Sequence, residues 1–501
     1  MAGARPERSS GSGMTFSVAM PGTIDNELSR HLLRADGQED VCLATYATST
    51  GSTRTTALVN AALLPERGER AVHGNASFTG DYFVRAAAQA ASRGRGVVAL
   101  HSHPGSRGWQ LMSRPDHDAE RSYAHLVQQV TGKPLVGMTL AGNGDWSCRV
   151  WDAAGVPTHG ESVRVVGDHF RVTWNDQLRP APKINGRQDR TVSAWGEETH
   201  ASLVRTRVLV VGVGSVGLDV GLRLAATGLV QVGVMDFDSV EIVNLDRLVG
   251  ATATDVRLAR SKVEVARRLM VRAATATNPQ IVELDASICD PAGLAAALDY
   301  DIVISCVDRP WPRGVLNTLA YADLIPVIDG GIGIDTFDDG TMRNATWRTH
   351  VLLPGQPCLC CNRQLDAGEI QTDKLGLLDD PAYMSGAGPE ALPKRQNVAA
   401  LAAGVSASIL AQFVSLTVAP SGFGVPGPLS YALSIHTLDH LHFPMKKGCA
   451  FEAAVAAGDD RLVLTGEHAA ARHIQAGRRA QQARPVTRLR RALSRGAQRY
   501  Y

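Results

Sequence analysis

Three features that would mark a protein class are missing from this sequence. The sequence has no large excess of charge of either sign, with 51 basic and 49 acidic residues among 501. The composition therefore gives no reason to expect a nucleic-acid partner. The eight cysteines, three of them clustered at 358–361, do not fit the disulfide framework of a secreted protein of this length. The N-terminus also lacks the apolar core of a signal peptide, so a reducing, cytoplasmic location is expected.

Long hydrophobic runs are also scarce. Residues 398–420 lie in the longest uncharged run and are long enough to span a bilayer, but they are rich in alanine and include Ser406 and Gln412. A buried helix is the better interpretation, and no membrane segment is predicted.

The end of the chain lacks acidic residues. After Glu467 there are nine arginines and no acidic residue. This charge run indicates either a solvated or frayed helical extension or a docking arm for an acidic partner.

The sequence is organised around residues 207–247, where a strand, a glycine loop, a helix and a second strand follow one another. The run 208–211 is apolar and β-branched, as expected of a central parallel strand. Gly212, Gly214 and Gly217 then open a helix; they permit a tight turn, the approach of a phosphate and close packing of the helix on the strand. We expect the phosphate at the N-terminus of that helix.

Polar residues after the glycine loop favour a triphosphate over a dinucleotide. Asp236 ends the second strand at the distance expected of a carboxylate that binds ribose hydroxyls, and Asp238 follows it. Three phosphate-seeking side chains come next: Asn244, Arg247 and Lys262. A dinucleotide does not need all three. Asp308 ends the following strand, where a carboxylate could hold magnesium.

These motifs resemble the ThiF/MoeB and ubiquitin-activating superfamily, whose members adenylate the C-terminal glycine of ubiquitin-like proteins. The matching stretches are GVGSVG at 212–217, DFD at 236–238, NLDR at 244–247, SK at 261–262 and CVDR at 306–309, within residues 187–452. The resemblance implies an ATP site in which Asp236 holds the ribose and Asp308 works with magnesium. It implies phosphate contacts from Asn244, Arg247 and Lys262.

The resemblance also bears on assembly. Arg190 matches the arginine that, in this superfamily, reaches the phosphates from the partner subunit of a dimer. A homodimer is therefore expected, and the alternative for Arg190 is a solvated linker charge.

A second motif lies upstream, in a predicted strand at 97–103. Because strand side chains alternate with a period of two, His101 and His103 share one face. Asp116 follows after a loop. Two imidazoles and one carboxylate leave a fourth coordination position open for water, which is the pattern of a catalytic zinc site.

The pattern HxHP followed by SxxD resembles the JAMM/MPN (JAB) zinc metalloprotease family, which cleaves bonds after the C-terminal glycine of ubiquitin-like proteins. The motif residues are His101, His103, Pro104, Ser113 and Asp116, within residues 25–152. The resemblance implies a zinc ion on the two histidines and the aspartate, and an upstream glutamate as general base. Glu39 occupies the matching place, with Asp40 as the fallback, and Ser113 could donate to the developing oxyanion.

The order of predicted elements indicates an α/β protein of several domains. Strands that alternate with helices after residue 207 predict a doubly wound sheet, with antiparallel strands added at one edge around 341–353. The predicted segments are a disordered start at 1–21, an α+β JAMM/MPN metalloprotease domain at 22–155, a linker at 156–186, a Rossmann-like ThiF domain with a mostly parallel sheet at 187–455 and a basic tail at 456–501.

The later cysteines raise two further points. Cys358 and Cys361 match the first half of a zinc clasp common in the ThiF/MoeB family, and Cys449 matches the start of the second half. Glu452 stands at the last position, so a structural zinc would take Glu452 or Cys360 as its fourth ligand; an empty site is the alternative. Thioester-forming relatives carry a cysteine between these halves, where this chain has none, so a thioester would need Cys360 or another displaced thiol.

Both halves thus point to one chemical locus, the C-terminal glycine of a carrier protein. The prediction is a bifunctional, bacterial-type enzyme that adenylates a ubiquitin-like or sulfur-carrier protein ending in Gly-Gly and cleaves peptide or isopeptide bonds at the same terminus. Its cofactors would be ATP, magnesium and zinc, and a conjugating enzyme or a sulfur donor would act next. Thiocarboxylate metabolism is the alternative pathway. An NAD-dependent dehydrogenase and a catalytically degenerate scaffold are the alternatives of a different class.

Overall fold

A computed structural model describes residues 13–73, 75–380, 383 and 396–498. Its strands are β1 Thr15–Pro21, β2 Val41–Thr50, β3 Arg54–Leu63, β4 Arg70–His73, β5 Asn75–Phe78, β6 Gly96–His103, β7 Leu135–Ala141, β8 Trp146–Trp151, β9 Pro157–His159, β10 Ser162–Val166, β11 Arg171–Trp174, β12 Val208–Val211, β13 Gln231–Met235, β14 Gln280–Leu284, β15 Ile302–Ser305, β16 Val327–Thr336, β17 Met342–Leu352, β18 Leu429–Ala432 and β19 Thr437–His440.

Its α-helices are α1 Gly22–Leu32, α2 Gly80–Ser92, α3 Arg114–Thr131, α4 Asp189–Trp195, α5 Glu197–Leu203, α6 Ser215–Thr227, α7 Ala253–Arg257, α8 Lys262–Ala273, α9 Pro291–Ala297, α10 Pro310–Ala322, α11 Ala367–Lys374, α12 Ala399–Thr417, α13 Ala450–Ala453, α14 Ala469–Ala483 and α15 Pro485–Gln498.

The first half of the chain forms a nine-stranded sheet in the order β11, β10, β1, β3, β2, β6, β7, β8, β9. β1 runs parallel to both of its neighbours, β3 and β10, and is buried along almost all of its length. The predicted disorder at 1–21 is therefore wrong for 15–21, while 1–12 lie outside the described residues.

The predicted linker at 156–186 is also wrong between residues 157 and 174. It supplies β9, β10 and β11, and every residue of β10 is buried. The domain predicted to end at 155 thus needs these strands, because β10 covers the edge that β1 would otherwise expose.

The second half contains an eight-stranded sheet in the order β14, β13, β12, β15, β16, β17, β18, β19. Strands β14 to β16 in this order are parallel, and β17 to β19 add antiparallel at one edge. The predicted doubly wound sheet and its antiparallel edge are confirmed. Successive residues of β12 point to opposite faces of the sheet, and both faces are apolar: Val210 packs in one core cluster and Leu209 in the other. Helices therefore cover both faces.

Helix α12 is long and apolar enough, by length and composition alone, to cross a membrane. Here it packs on β16, β17 and α6. Its polar residues on the packed side have partners inside the protein: the Ser406 hydroxyl donates to Ala402 O over 3.0 Å, and the Gln412 amide donates to Gly427 O over 2.9 Å. The helix has the packing of a core element, as the sequence predicted.

A buried ion network joins the two sheets. The Asp301 carboxylate, at the start of β15, accepts hydrogen bonds from the Arg54 guanidinium of β3 and from the backbone N–H of Arg207, the latter over 2.9 Å. The Arg164 guanidinium lies 3.5 Å from it, and Arg207 also pairs with Glu161. All five side chains are nearly inaccessible to solvent, so the halves meet through a fixed interface.

The predicted basic tail forms two helices, α14 and α15, that lie on the second sheet's domain. Gln482 donates to Ala259 O over 2.6 Å, and Arg491 donates to Leu258 O over 3.0 Å. The helical part of the prediction is confirmed, and these contacts attach one side of the segment to the protein, while most of its described side chains are exposed.

Candidate functional site

The glycine loop between β12 and α6 forms one wall of a cavity of about 380 Å³. Gly212 has φ +86°, and a Cβ there would lie 2.6 Å from Cys306 O. A Cβ on Gly217 would lie 1.9 Å from Gly212 O, which explains the close packing of α6 on the loop. Gly212 and Gly214 line the cavity, and Gly217 supports them from behind.

Asp236, at the end of β13, is fixed beside this loop. One carboxylate oxygen accepts from Val213 N over 2.7 Å and the other from Asp238 N over 2.8 Å. Burial raises the pKa of Asp236, and the nearby Lys262 opposes that shift. Its outer edge faces the cavity, where the sequence predicted a ribose.

Lys262 begins α8 and extends into the same cavity. Its Nζ lies 2.6 Å from Asp238 Oδ2 and 4.0 Å from Asp236 Oδ2. Burial would lower the pKa of Lys262, but the two carboxylates together raise it, so the ammonium stays charged. A neighbouring anion could replace Asp238 as its partner.

Asn244, Arg247 and Asp308 complete the predicted set, and all three line the cavity. The Asn244 amide oxygen accepts from Glu241 N over 3.0 Å, which fixes the short turn that also carries Arg247. Among the described residues, the Asp308 carboxylate has no hydrogen-bond or ion-pair partner, so its oxygens are available to a cation. Arg190 does not join this set: it lies on α4, is exposed and is not part of the cavity wall.

Sequence reasoning missed several cavity residues. Arg313 lies on α10 with its Nε 3.5 Å from the buried Asp329. His468 lines the opposite end, and Asn397 donates to Ser215 Oγ over 3.1 Å. Arg313 follows Asp308 by only five residues, and a helix predicted directly after that aspartate would have brought it to the cavity. The other two are distant in sequence and carry no such signal.

The second candidate site lies at the end of β6, where the predicted histidines and aspartate meet. Nε2 of His101 lies 3.6 Å from Asp116 Oδ2, and Nε2 of His103 lies 3.7 Å from the same oxygen. One donor atom from each residue lies within 4.8 Å of the others. Two imidazoles and a carboxylate at these separations fit zinc.

The environment suits ligation by neutral imidazole. Burial lowers the pKa of His101 to about 3. A hydrogen bond to Asp116 raises the pKa of His103. Burial works against ionisation of Asp116, but hydrogen bonds from His103 and Ser113 keep the pKa of this carboxyl below its ordinary value. The site therefore holds an ionised carboxylate beside at least one neutral imidazole.

Ser113 caps α3, and its hydroxyl donates to Asp116 Oδ2 over 2.7 Å. A serine hydroxyl has one proton. In this structure that proton is donated to Asp116, so it is not available to an oxyanion as predicted.

Glu39 and Asp40 are distinguished by their surroundings. The Asp40 carboxylate is fully buried and pairs with Arg70 and with Arg34, so the fallback base is already engaged. Burial raises the pKa of the half-buried Glu39, whose charge interacts with His103 and Asp116. Of the two carboxylates, Glu39 is thus the one without a strong ion pair and with electrostatic interactions with the histidine–aspartate group.

Three of the later cysteines also meet. Sγ of Cys358 lies 3.6 Å from Sγ of Cys449, and Cys361 joins them within 4.8 Å. Neither Cys360 nor Glu452 belongs to this group, although Glu452 has a buried carboxylate oxygen without a hydrogen-bond partner. Three soft thiol ligands suit zinc, and the fourth ligand is not fixed by the geometry.

Residues 186–425 match the model of the ThiF family. This segment carries every residue that the sequence predicted for the nucleotide site. Residues 22–155 lie outside the match, so their JAMM/MPN identity stays a prediction.

Curated relatives match over parts of their length. The molybdopterin-synthase adenylyltransferase of Escherichia coli is 31% identical over 32% of this chain and 64% of its own length. The adenylyltransferase and sulfurtransferase MOCS3 of Aedes aegypti is 27% identical over 34% of this chain and 38% of its own. The SUMO-activating enzyme subunit uba-2 of Caenorhabditis elegans is 30% identical over 28% of this chain and 23% of its own length. The chain thus spans less than two thirds of the length of these relatives.

Two solved structures are more distant. E. coli MccB with ATP is 19% identical, covers 53% of this chain and 74% of its own, and has a TM-score of 0.41. E. coli tRNA N6-threonylcarbamoyladenosine dehydratase, TcdA, is 25% identical. The match covers 30% of this chain and 65% of TcdA, with a TM-score of 0.27.

Proposed function

We propose that this protein uses ATP to adenylate the C-terminal carboxylate of a ubiquitin-like or sulfur-carrier protein. One observation carries the proposal: the glycine loop, Asp236, Lys262 and Asp308 come from separate segments and line one cavity within the part that matches the ThiF family. Its relatives, two adenylyltransferases and a SUMO-activating enzyme subunit, suggest the reaction and the class of substrate.

The chemistry needs little more than positioning and neutralisation. A carboxylate oxygen of the carrier attacks the α-phosphorus and forms a P–O bond, while the bond to the bridging oxygen breaks and pyrophosphate leaves. Asp236 would hold the ribose. Lys262 and Arg247 would neutralise the phosphates, and Lys262 would exchange Asp238 for a phosphate oxygen as ATP binds.

Asp308 would hold magnesium, since its oxygens are available and carboxylates are the ligands that this ion prefers. The bound ion would neutralise charge on the phosphates of ATP. A dehydrogenase would have no use for this carboxylate or for Lys262 between two acids.

The proposal is tested by ATP–pyrophosphate exchange with a candidate carrier ending in Gly-Gly. Label should pass from pyrophosphate into ATP only when carrier and magnesium are present, and Asp308→Ala should lower the rate by about 10²-fold or more. Asp219→Ala, which removes a partly exposed carboxylate on α6 outside the cavity lining, is the matched control. Binding of NAD in preference to ATP, or no exchange with any carrier, would reject the proposal.

A second activity, metal-dependent cleavage at the same terminus, is supported by the group of His101, His103 and Asp116. These residues would hold zinc, which acts as a Lewis acid when bound. Glu39 would take a proton from the attacking water and return it to the leaving amine. Ser113 would keep Asp116 oriented.

A further inference from the structure

Residues 464–468 lie beside the nucleotide cavity, and His468 is part of its lining. Three hydrogen bonds fix this segment: Trp311 Nε1 donates to Leu464 O over 2.8 Å, Gly466 N to Cys289 O over 2.9 Å, and His468 N to Asp290 Oδ1 over 2.9 Å. The partners lie on α10 and on the loop between β14 and α9. The C-terminal segment is thus built into the cavity wall.

His468 is the residue of this segment that faces the cavity. Its ring lies 5.0 Å from the ring of Phe237 and 5.0 Å from that of Trp311, edge to face in both cases. Its Nδ1 lies 2.7 Å from the Ser287 hydroxyl. Nε2 has no hydrogen-bond partner among the described residues, so the imidazole is held firmly with one nitrogen left for a ligand.

Sheet order shows which part of a nucleotide would meet His468. The glycine loop follows β12, Asp236 ends β13, and residues 286–288 follow β14, and these three strands are neighbours in this order. A nucleotide with phosphates at the loop and ribose at Asp236 therefore has its base over the end of β14. Ser287 and His468 lie at that end.

Arg478 anchors the helix that carries this wall. The side chain is only 3% exposed, although α14 lies at the protein surface. Its Nη1 donates to Phe237 O over 2.7 Å, and its Nη2 contacts both carboxylate oxygens of Asp285 over 2.5 Å. Phe237 directly follows the predicted ribose carboxylate, so α14 is fastened to the strand ends that form the site.

We propose that the C-terminal segment forms the base subsite of the nucleotide site, with His468 as the residue that contacts a purine base and Arg478 as the residue that positions its wall. The inference rests on the proposed ATP-dependent function and deepens it. The aromatic rings of Phe237 and Trp311 supply apolar surface for a flat base. The Ser287 hydroxyl orients the imidazole of His468, whose Nε2 supplies a hydrogen-bonding group for the edge of the base.

The test compares binding of ATP, GTP and inorganic tripolyphosphate to the full-length protein by calorimetry. His468→Ala should weaken ATP binding by about tenfold and reduce the discrimination between ATP and GTP. Tripolyphosphate, which has no base, should bind the variant as it binds the wild type, and this also shows that the protein is folded. His473→Ala, an exposed histidine on α14, is the matched control.

Arg478→Ala should weaken ATP binding in the same way, and the exposed neighbour Arg479→Ala should not. Unchanged ATP affinity and base discrimination in His468→Ala would overturn this inference and leave the adenylation proposal standing. An equal loss for tripolyphosphate would also overturn it, because the effect would not concern the base. Wild-type protein that binds no ATP would reject the proposed function itself.

Discussion

At the metal group of the first half, two neighbouring carboxylates have different surroundings, and this decides which can act as a base. Glu39 is half-buried and interacts with His103 and Asp116, whereas Asp40 is held by Arg70. Glu39→Gln should therefore keep about one zinc per site while lowering cleavage by about 10²-fold or more. Metal content by mass spectrometry and cleavage of a carrier fusion measure the two effects.

Glu27→Gln, an exposed change on α1, is the control, and removal of zinc by a chelator should abolish cleavage in both proteins. Full cleavage by Glu39→Gln would exclude it as the base. The sequence could place His101 and His103 together because strand spacing is local. The family resemblance ranked Glu39 over Asp40, and the spacing of the residues alone could not, since the pairing of Asp40 with Arg70 depends on the fold.

Among the elements, β3, β10 and β15 meet at one buried carboxylate. Burial alone would raise the pKa of Asp301, but Arg54, Arg207 and Arg164 lower it well below its ordinary value of 3.8. The stabilisation is therefore present above about pH 4 and is lost as pH falls through the depressed folded pKa. Asp301→Asn should lower the free energy of unfolding by about 3–5 kcal/mol, because it leaves buried guanidinium groups without their counter-charge.

Urea denaturation measures this loss, and Asp219→Asn is the matched control. Asp219 pairs with Arg223 on the exposed face of α6, where an ion pair contributes at most about 1 kcal/mol. Equal, small effects of the two changes would contradict a stabilising role for the buried network.

The same network explains which elements the sequence could predict. Strand β12 is a short apolar run, and its predicted bounds, 208–211, are confirmed. β10 contains Arg164, which looks like a surface residue until Asp301 is placed beside it. The hydrophobic period and the composition of a segment predict burial against apolar neighbours. They do not predict the burial of one charged side chain against another.

At the scale of the whole molecule, Arg190 leads to a prediction that the protein is a dimer. It is exposed on α4 and outside the cavity of its own chain, as expected of a residue that serves a partner. If so, Arg190→Ala and Asp308→Ala are each inactive alone, but mixed subunits regain about a quarter of wild-type exchange, since half of the dimers carry one intact site. Arg187→Ala is the control, and activity of a monomer in light scattering would contradict the prediction.

The last prediction concerns the order of chemistry across the molecule. No cysteine lies between Cys361 and Cys449, and residues 381–382 and 384–395 of that stretch lie outside the described residues. Adenylation needs only the cavity, magnesium at Asp308 and a carboxylate nucleophile, so pyrophosphate exchange should proceed at the wild-type rate in Cys360→Ala. Any later thioester would need Cys360 or another displaced thiol. The enzyme, ATP, magnesium and carrier are incubated and separated on gels with and without reductant. A reductant-sensitive adduct that disappears only in Cys360→Ala would contradict the thiol-free route, whereas transfer of the adenylate to an added amine or sulfide without such an adduct is the expected result.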